Sequence, residues 1–227
     1  MDTVKQKIFM LQLLKDIFSD ALLSSVLAIK GASAAMFFYN LPRFSYNLDF
    51  NLLDQGKEAE VYGRLRKILR KYDTNSEEAP TPYGIVMVSG QRKLRIEVST
   101  RQWNNHYELH NYLGLQMRVM SKEDLFAHKL CALLGKGAAP SRHVFDSWFY
   151  LKERTSLNKA IVEARMEMPL DVYLDKCIES LEELPESDLI SEIRELDDGG
   201  LHSFARRDLK DDLIYMLSMF KARPLYL

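Results

Sequence analysis

Apolar residues recur at Val4, Ile8, Leu11, Leu14 and Phe18, the spacing that lines one face of a helix. The run ALLSSVLAI follows and fits either a second helix or a strand. Gly31 then breaks the pattern, and Ser33 leads into the helix-like AAMFFY. LPRFS turns the chain, and YNLDF alternates as a half-buried strand does, so a strand is expected over residues 47–53. A helix is expected from near Lys57 to Tyr72. Val61, Leu65, Ile68 and Leu69 line one side of it, and Arg64, Arg66, Lys67, Arg70 and Lys71 the other. That basic row suits a solvated helical face or contact with the phosphates of a long substrate.

TNSEEAPTPYG reads as a loop by composition. GIVMVSGQRKLRIEVST reads as a β-hairpin turning at Ser89-Gly90-Gln91, where Gly90 can take the positive φ of a tight turn. In its second run Lys93, Arg95 and Glu97 share one face, while Leu94, Ile96 and Val98 share the other. A mid-strand carboxylate at Glu97 is either a partner of its basic neighbours or a ligand beside Asp49. YELHNYLGLQMRVM supplies one or two further short strands. From Ser121 the pattern is helical. Ser121 with Asp124 forms a capping signature, and Ser141 is expected to cap SRHVFDSWFYLKE. Helices are expected around 156–168, 170–184, 186–196 and 206–221, with Pro169, Pro185 and Gly199-Gly200 as punctuation. The pattern implies an α+β fold: a small mixed β-sheet flanked by helices over residues 1–120, then a helical portion over residues 121–227 that shares its core.

The 227 residues suit one large domain or two small ones. The formal net charge of −1 hides a polarity. Residues through Arg154 carry 22 Lys and Arg against 16 Asp and Glu, and the remainder carries 9 against 16. A basic front part suits a polyanionic substrate, and an acidic back part argues against nucleic acid wrapping the whole surface. The two cysteines, Cys131 and Cys177, sit in amphipathic helical stretches without metal-type neighbours, which implies buried, reduced thiols. The five His have no zinc-ligand spacing. No stretch has the apolar length of a membrane span or a signal peptide, so a cytoplasmic location and no membrane partner are expected.

The chemistry concentrates in residues 30–50. A Gly-x-Ser turn opening a helix can offer backbone N–H groups and a hydroxyl to a phosphate. Asn47 and Asp49, at i and i+2, aim two side chains the same way. Transfer of a nucleotidyl group needs such a phosphate cradle, hard oxygen ligands for Mg²⁺, and a cation for the phosphates. Gly31 and Ser33 can supply the cradle, Asp49 and Glu97 the metal ligands, and Lys129 the cation. The same residues also read as a turn, a buried helix and an edge strand.

The runs KGASA, RFSYNLDF, LRIEVS, EDLFAHKLCALL and SRHVFDSWFYL, in that order, resemble the AbiEii/AbiGii toxin family of nucleotidyltransferases, within the DNA polymerase β-like superfamily. The likeness spans about residues 27–151. It implies that Gly31 and Ser33 hold the nucleotide phosphates, and that Asp49 ligates Mg²⁺ or Mn²⁺. Glu97 would be a ligand or general base, Lys129 would contact the triphosphate, and Asp146 would support the site. It implies an NTP substrate, an acceptor hydroxyl such as the 3′ end of a tRNA or other RNA, and a cognate antitoxin protein. The chain departs from the family pattern at Asn47, where the first metal aspartate is expected, and at His143, where the last motif carries its first Asp. The Gly-Gly pair is reduced to Gly31-Ala32. An amide oxygen at Asn47 can ligate a metal but brings no charge. A second reading is therefore a degenerate member that binds nucleotide or a partner without turnover, and a third is a nucleotidyltransferase acting on small molecules.

Overall fold

The computed structural model describes residues 3–74, 77–81, 84–89, 94–135, 141–185, 196 and 199–222. They fall into two compact units. The first comprises Met1–Asn40, Phe44–Gln102 and His106–Met120; the second comprises Leu41–Arg43, Trp103–Asn105 and Ser121–Leu227.

The first unit is a seven-stranded mixed sheet with helices, in the order β3-β4-β5-β2-β1-β7-β6. Its elements are α1 (Thr3–Ser19), α2 (Ala21–Val26), β1 (Leu27–Lys30), α3 (Gly31–Phe38), β2 (Asn47–Leu52) and α4 (Glu58–Arg70). They continue with β3 (Glu77–Thr81), β4 (Gly84–Ser89), β5 (Leu94–Ser99), β6 (Tyr107–Tyr112) and β7 (Leu115–Met120). β2 runs antiparallel to β1 and parallel to β5. β1 runs parallel to β7, and the remaining neighbours are antiparallel. Strand alternation puts Leu48, Phe50, Leu52, Ile96 and Val98 on the apolar face, all buried. The polar positions between them share the other face.

ALLSSVLAI is divided. Asp20 caps α2 by accepting hydrogen bonds from the Leu22 and Leu23 N–H groups, and the fully buried Leu27, Ala28 and Ile29 pass into β1. α1 forms as expected but buries a different stripe. Phe9, Met10, Leu13, Leu14, Ile17 and Phe18 face the core, while Val4 and Ile8 stay exposed. The two-residue turn between β6 and β7 is built from Leu113 (φ 52°) and Gly114 (φ 78°), the left-handed pair a tight hairpin requires.

Residues 77–81, read as loop, form the edge strand β3. Every one of them is exposed, so no apolar alternation marks the strand. Pairing with β4 and a fork from Arg66 to Glu78 (2.5 and 2.7 Å) hold it, and Pro80 is tolerated because one side is unpaired. β4 and β5 form the expected antiparallel pair; its turn at Gly90 and Gln91 lies outside the described residues. The basic row of α4 is threaded by ion pairs. Arg64 meets Asp20 and Glu60, Arg66 meets Glu78, and Lys71 meets Asp16.

The second unit packs α5 (Lys122–Cys131), α6 (Ser141–Lys152), α7 (Lys159–Met166), α8 (Leu170–Glu182), α9 (Gly199–Arg207) and α10 (Leu209–Ala222). Ser121 caps α5 by accepting from the Asp124 N–H, as its sequence signature implies. Phe126 stacks on Tyr150 with ring centroids 5.4 Å apart, and Trp148 lies 4.7 Å from Phe204. The Trp148 indole N–H donates to Asp212 (2.6 Å), and the Tyr173 hydroxyl to the Leu130 carbonyl (2.7 Å). Cys131 and Cys177 are buried free thiols, and burial pushes them up to about 11 and about 12. One expectation fails here: Ser141 lies within α6 with its hydroxyl unpartnered among the described residues. Gly199-Gly200 begin α9. The helix expected over 186–196 falls almost wholly outside the described residues.

Candidate nucleotidyl-transfer site

The sheet brings two of the expected metal ligands side by side. β2 and β5 are parallel and in register, with Asp49 opposite Glu97 and Asn47 opposite Arg95. Directly opposed residues project from the same face, and neighbouring strands lie about 4.8 Å apart. Asn47, Asp49 and Glu97 are all half-buried. On the other side of β2, Lys30 lies opposite Asp49. One row across the sheet therefore reads Glu97, Asp49, Lys30.

Gly31 shapes that row. It follows β1 directly, takes φ +72°, and opens α3. A Cβ at this position would lie 2.5 Å from Oδ2 of Asp49 and 3.2 Å from its Cγ, so the carboxylate packs against the bare Cα. Glycine is needed here twice, for the left-handed backbone and for the close approach. Ser33 is fully buried in the first turn of α3, and its hydroxyl donates back to the Lys30 carbonyl at 3.4 Å. Lys30, at the N-cap, makes no side-chain capping hydrogen bond.

Among the described residues no group of three or more His, Cys, Asp and Glu gathers at metal-binding spacing. This face carries two carboxylates, Asp49 and Glu97, and the residue beside Asp49 on it is the amide Asn47. Two adjacent carboxylates with a neutral amide oxygen fit one Mg²⁺ that keeps several waters, and they lack the charge for two. Arg95, which shares the face, donates to Glu97 Oε2 at 2.8 Å. The sequence placed Arg95 and Glu97 on one face; it did not show that Arg95 stands beside Asn47.

The second unit contains Lys129 and Asp146, joined by a 2.8 Å ion pair. Asp146 is fully buried on α6 and also accepts a fork from Arg43, at 2.5 Å to Nε and 2.6 Å to Nη2. Burial alone would raise the Asp146 carboxyl. The charges of Arg43 and Lys129, with their hydrogen bonds, outweigh it and hold the group well below the usual carboxylate range. Arg43 thus ties the segment Leu41–Arg43 to α6 within the second unit. His143, one helical turn from Asp146, is pushed down to about 3 by burial and by the nearby positive charges, chiefly Lys129, against the opposing pull of Asp146. Its Nδ1 is buried with no partner among the described residues.

A mixed sheet with a glycine turn beside a strand carboxylate, followed by a helical unit, defines a nucleotidyltransferase-like fold. The sequence matches the family described as "Nucleotidyl transferase AbiEii toxin, Type IV TA system" over residues 12–213, and the chain belongs to that family. This bears out the resemblance carried by the five motifs. Two solved structures from Helicobacter pylori share the fold. JHP933 is 21% identical with a TM-score of 0.59, over 98% of this chain and 93% of that one. A protein provisionally assigned as a nucleotidyltransferase is 20% identical with a TM-score of 0.60, over 98% and 96%. No curated protein sequence matches.

Proposed function

We propose that the chain transfers a nucleoside monophosphate from an NTP to an acceptor hydroxyl and releases pyrophosphate. The observation that carries this reading is the in-register pair Asp49 and Glu97, with Asp49 seated on Gly31. The two carboxylates, with the amide oxygen of Asn47, would hold one Mg²⁺ or Mn²⁺. Such an ion, when bound, neutralises phosphate charge during transfer. The residues of the chain do the positioning. Gly31 lets the Asp49 carboxylate lie against the turn, and the N-terminal N–H groups of α3 suit a phosphate. Lys129 and Asp146 are the remaining catalytic candidates, with Asp146 fixing the Lys129 ammonium. The 3′ end of tRNA is the acceptor favoured by family membership, and a cognate antitoxin is the expected protein partner.

The test is incubation with each of the four α-labelled NTPs, Mg²⁺ and total RNA. Label transfer to RNA is the expected result, raised by Asn47→Asp and lost in Asp49→Asn. Absence of label on any RNA or protein acceptor, with both the native chain and Asn47→Asp, would reject it. The second reading, nucleotide or partner binding without turnover, is favoured by Asn47 and by the Arg95–Glu97 ion pair. It predicts calorimetric binding of NTP with Mg²⁺ and no product.

A further inference from the structure

Two opposed pairs on β2 and β5, Asn47 with Arg95 and Asp49 with Glu97, share one face with a third, Asn51 with Ser99. Along each strand the pairs are separated by about 6.6 Å, and across the strands by about 4.8 Å. The corner opposite Arg95 carries no charge, because an amide stands there. Arg95 instead turns along its own strand and binds Glu97 at 2.8 Å. A cation is thus built into the carboxylate face on Glu97, just as Lys30 stands opposite Asp49.

We propose that Arg95 is a resident countercharge of this site: it holds Glu97 and limits the face to one metal ion bound weakly. The proposal rests on the metal-binding reading of Asp49 and Glu97. A guanidinium within about 7 Å of a divalent ion repels it even through water-like screening, and it must also share its carboxylate. The uncharged amide at Asn47 does not compensate for either effect. The substitution Asn47→Asp would draw Arg95 across the strand pair and release Glu97.

The test is Mn²⁺ binding to the full chain, read by calorimetry and by the loss of free-ion EPR signal, for the native protein, Arg95→Gln, Asn47→Asp, Asn47→Asp/Arg95→Gln and Asp49→Asn. Circular dichroism checks that each is folded. The native chain is expected to bind one Mn²⁺. Arg95→Gln is expected to bind one about tenfold more tightly, with less weakening by added salt. Asn47→Asp/Arg95→Gln is expected to take up a second ion, and Asn47→Asp alone is expected to remain at one. Unchanged or weaker binding by Arg95→Gln, while Asp49→Asn abolishes it, would overturn the role of Arg95 alone. Binding unaffected by Asp49→Asn, or absent from both the native chain and Arg95→Gln, would remove the metal-site reading and this proposal together.

Discussion

The Asp49 carboxylate lies against the Cα of Gly31, so closely that a Cβ there would come within 2.5 Å of Oδ2. The glycine that turns the chain from β1 into α3 is therefore also the wall of the proposed metal ligand. Turn and carboxylate occupy fixed positions relative to each other because β1 and β2 are hydrogen-bonded neighbours, with Lys30 opposite Asp49.

Gly31→Ala follows from this contact. The new methyl displaces the carboxylate, and a non-glycine residue at φ +72° costs about 1–3 kcal/mol. We expect a modest loss of thermal stability and a fall of about a hundredfold in nucleotidyl transfer, the effect of misplacing a catalytic group by about 1 Å. Thermal melts and the labelled-NTP assay measure the two separately. Full activity in Gly31→Ala would show that the close approach does not position Asp49.

Asp146 is the carboxylate that two buried cations, Arg43 and Lys129, share. Asp146→Asn removes that common countercharge and is expected to cost about 3–5 kcal/mol in denaturant unfolding. Replacing the set with apolar residues, Arg43→Met, Lys129→Met and Asp146→Leu together, is expected to cost less than Asp146→Asn alone. The reverse order would mean that the cluster holds the second unit together by net attraction.

Acid should weaken the fold in two stages. His143 is pushed down to about 3, so the unfolded chain takes up its proton first as pH falls below about 6.5, and stability declines from there toward pH 3. Asp146 is also depressed, so its contribution is present above about pH 3.9 and is lost as pH falls below that value toward its folded one. His143→Gln is expected to flatten the decline between about pH 6.5 and about pH 4 and to leave the later stage. Melting temperatures across that range check it. An unchanged slope in His143→Gln would assign the decline to other groups.

Asn47→Asp adds a carboxylate to the face shared by Asp49 and Glu97. The expected result is a rise in metal-dependent nucleotidyl transfer with no loss of folded protein, measured as initial rates at fixed NTP. A fall in rate would mean that the amide is required and that the face is adapted to it.

Much of this was legible in the chain. Alternation in YNLDF and LRIEVS put the carboxylates on polar faces, and Gly31 announced the turn. The pairing was not legible, because period two fixes a face but does not say which strands are neighbours. β3 escaped because EEAPT buries no residue, and a strand held by its ladder and one ion-pair fork leaves no hydrophobic trace. α1 carries two apolar stripes, and only the packing shows that Val4 and Ile8 are left outside. The Arg43–Asp146 pair spans 103 residues, a separation at which sequence offers two charged residues and no reason to join them.

Asp49 and Glu97 are proposed to hold one cation between them. Anomalous diffraction from crystals soaked with Mn²⁺ and an NTP tests it most directly. A single strong peak about 2 Å from a carboxylate oxygen of each residue is expected. A peak held by other residues, or Asp49 and Glu97 without metal while nucleotide is bound, would contradict it.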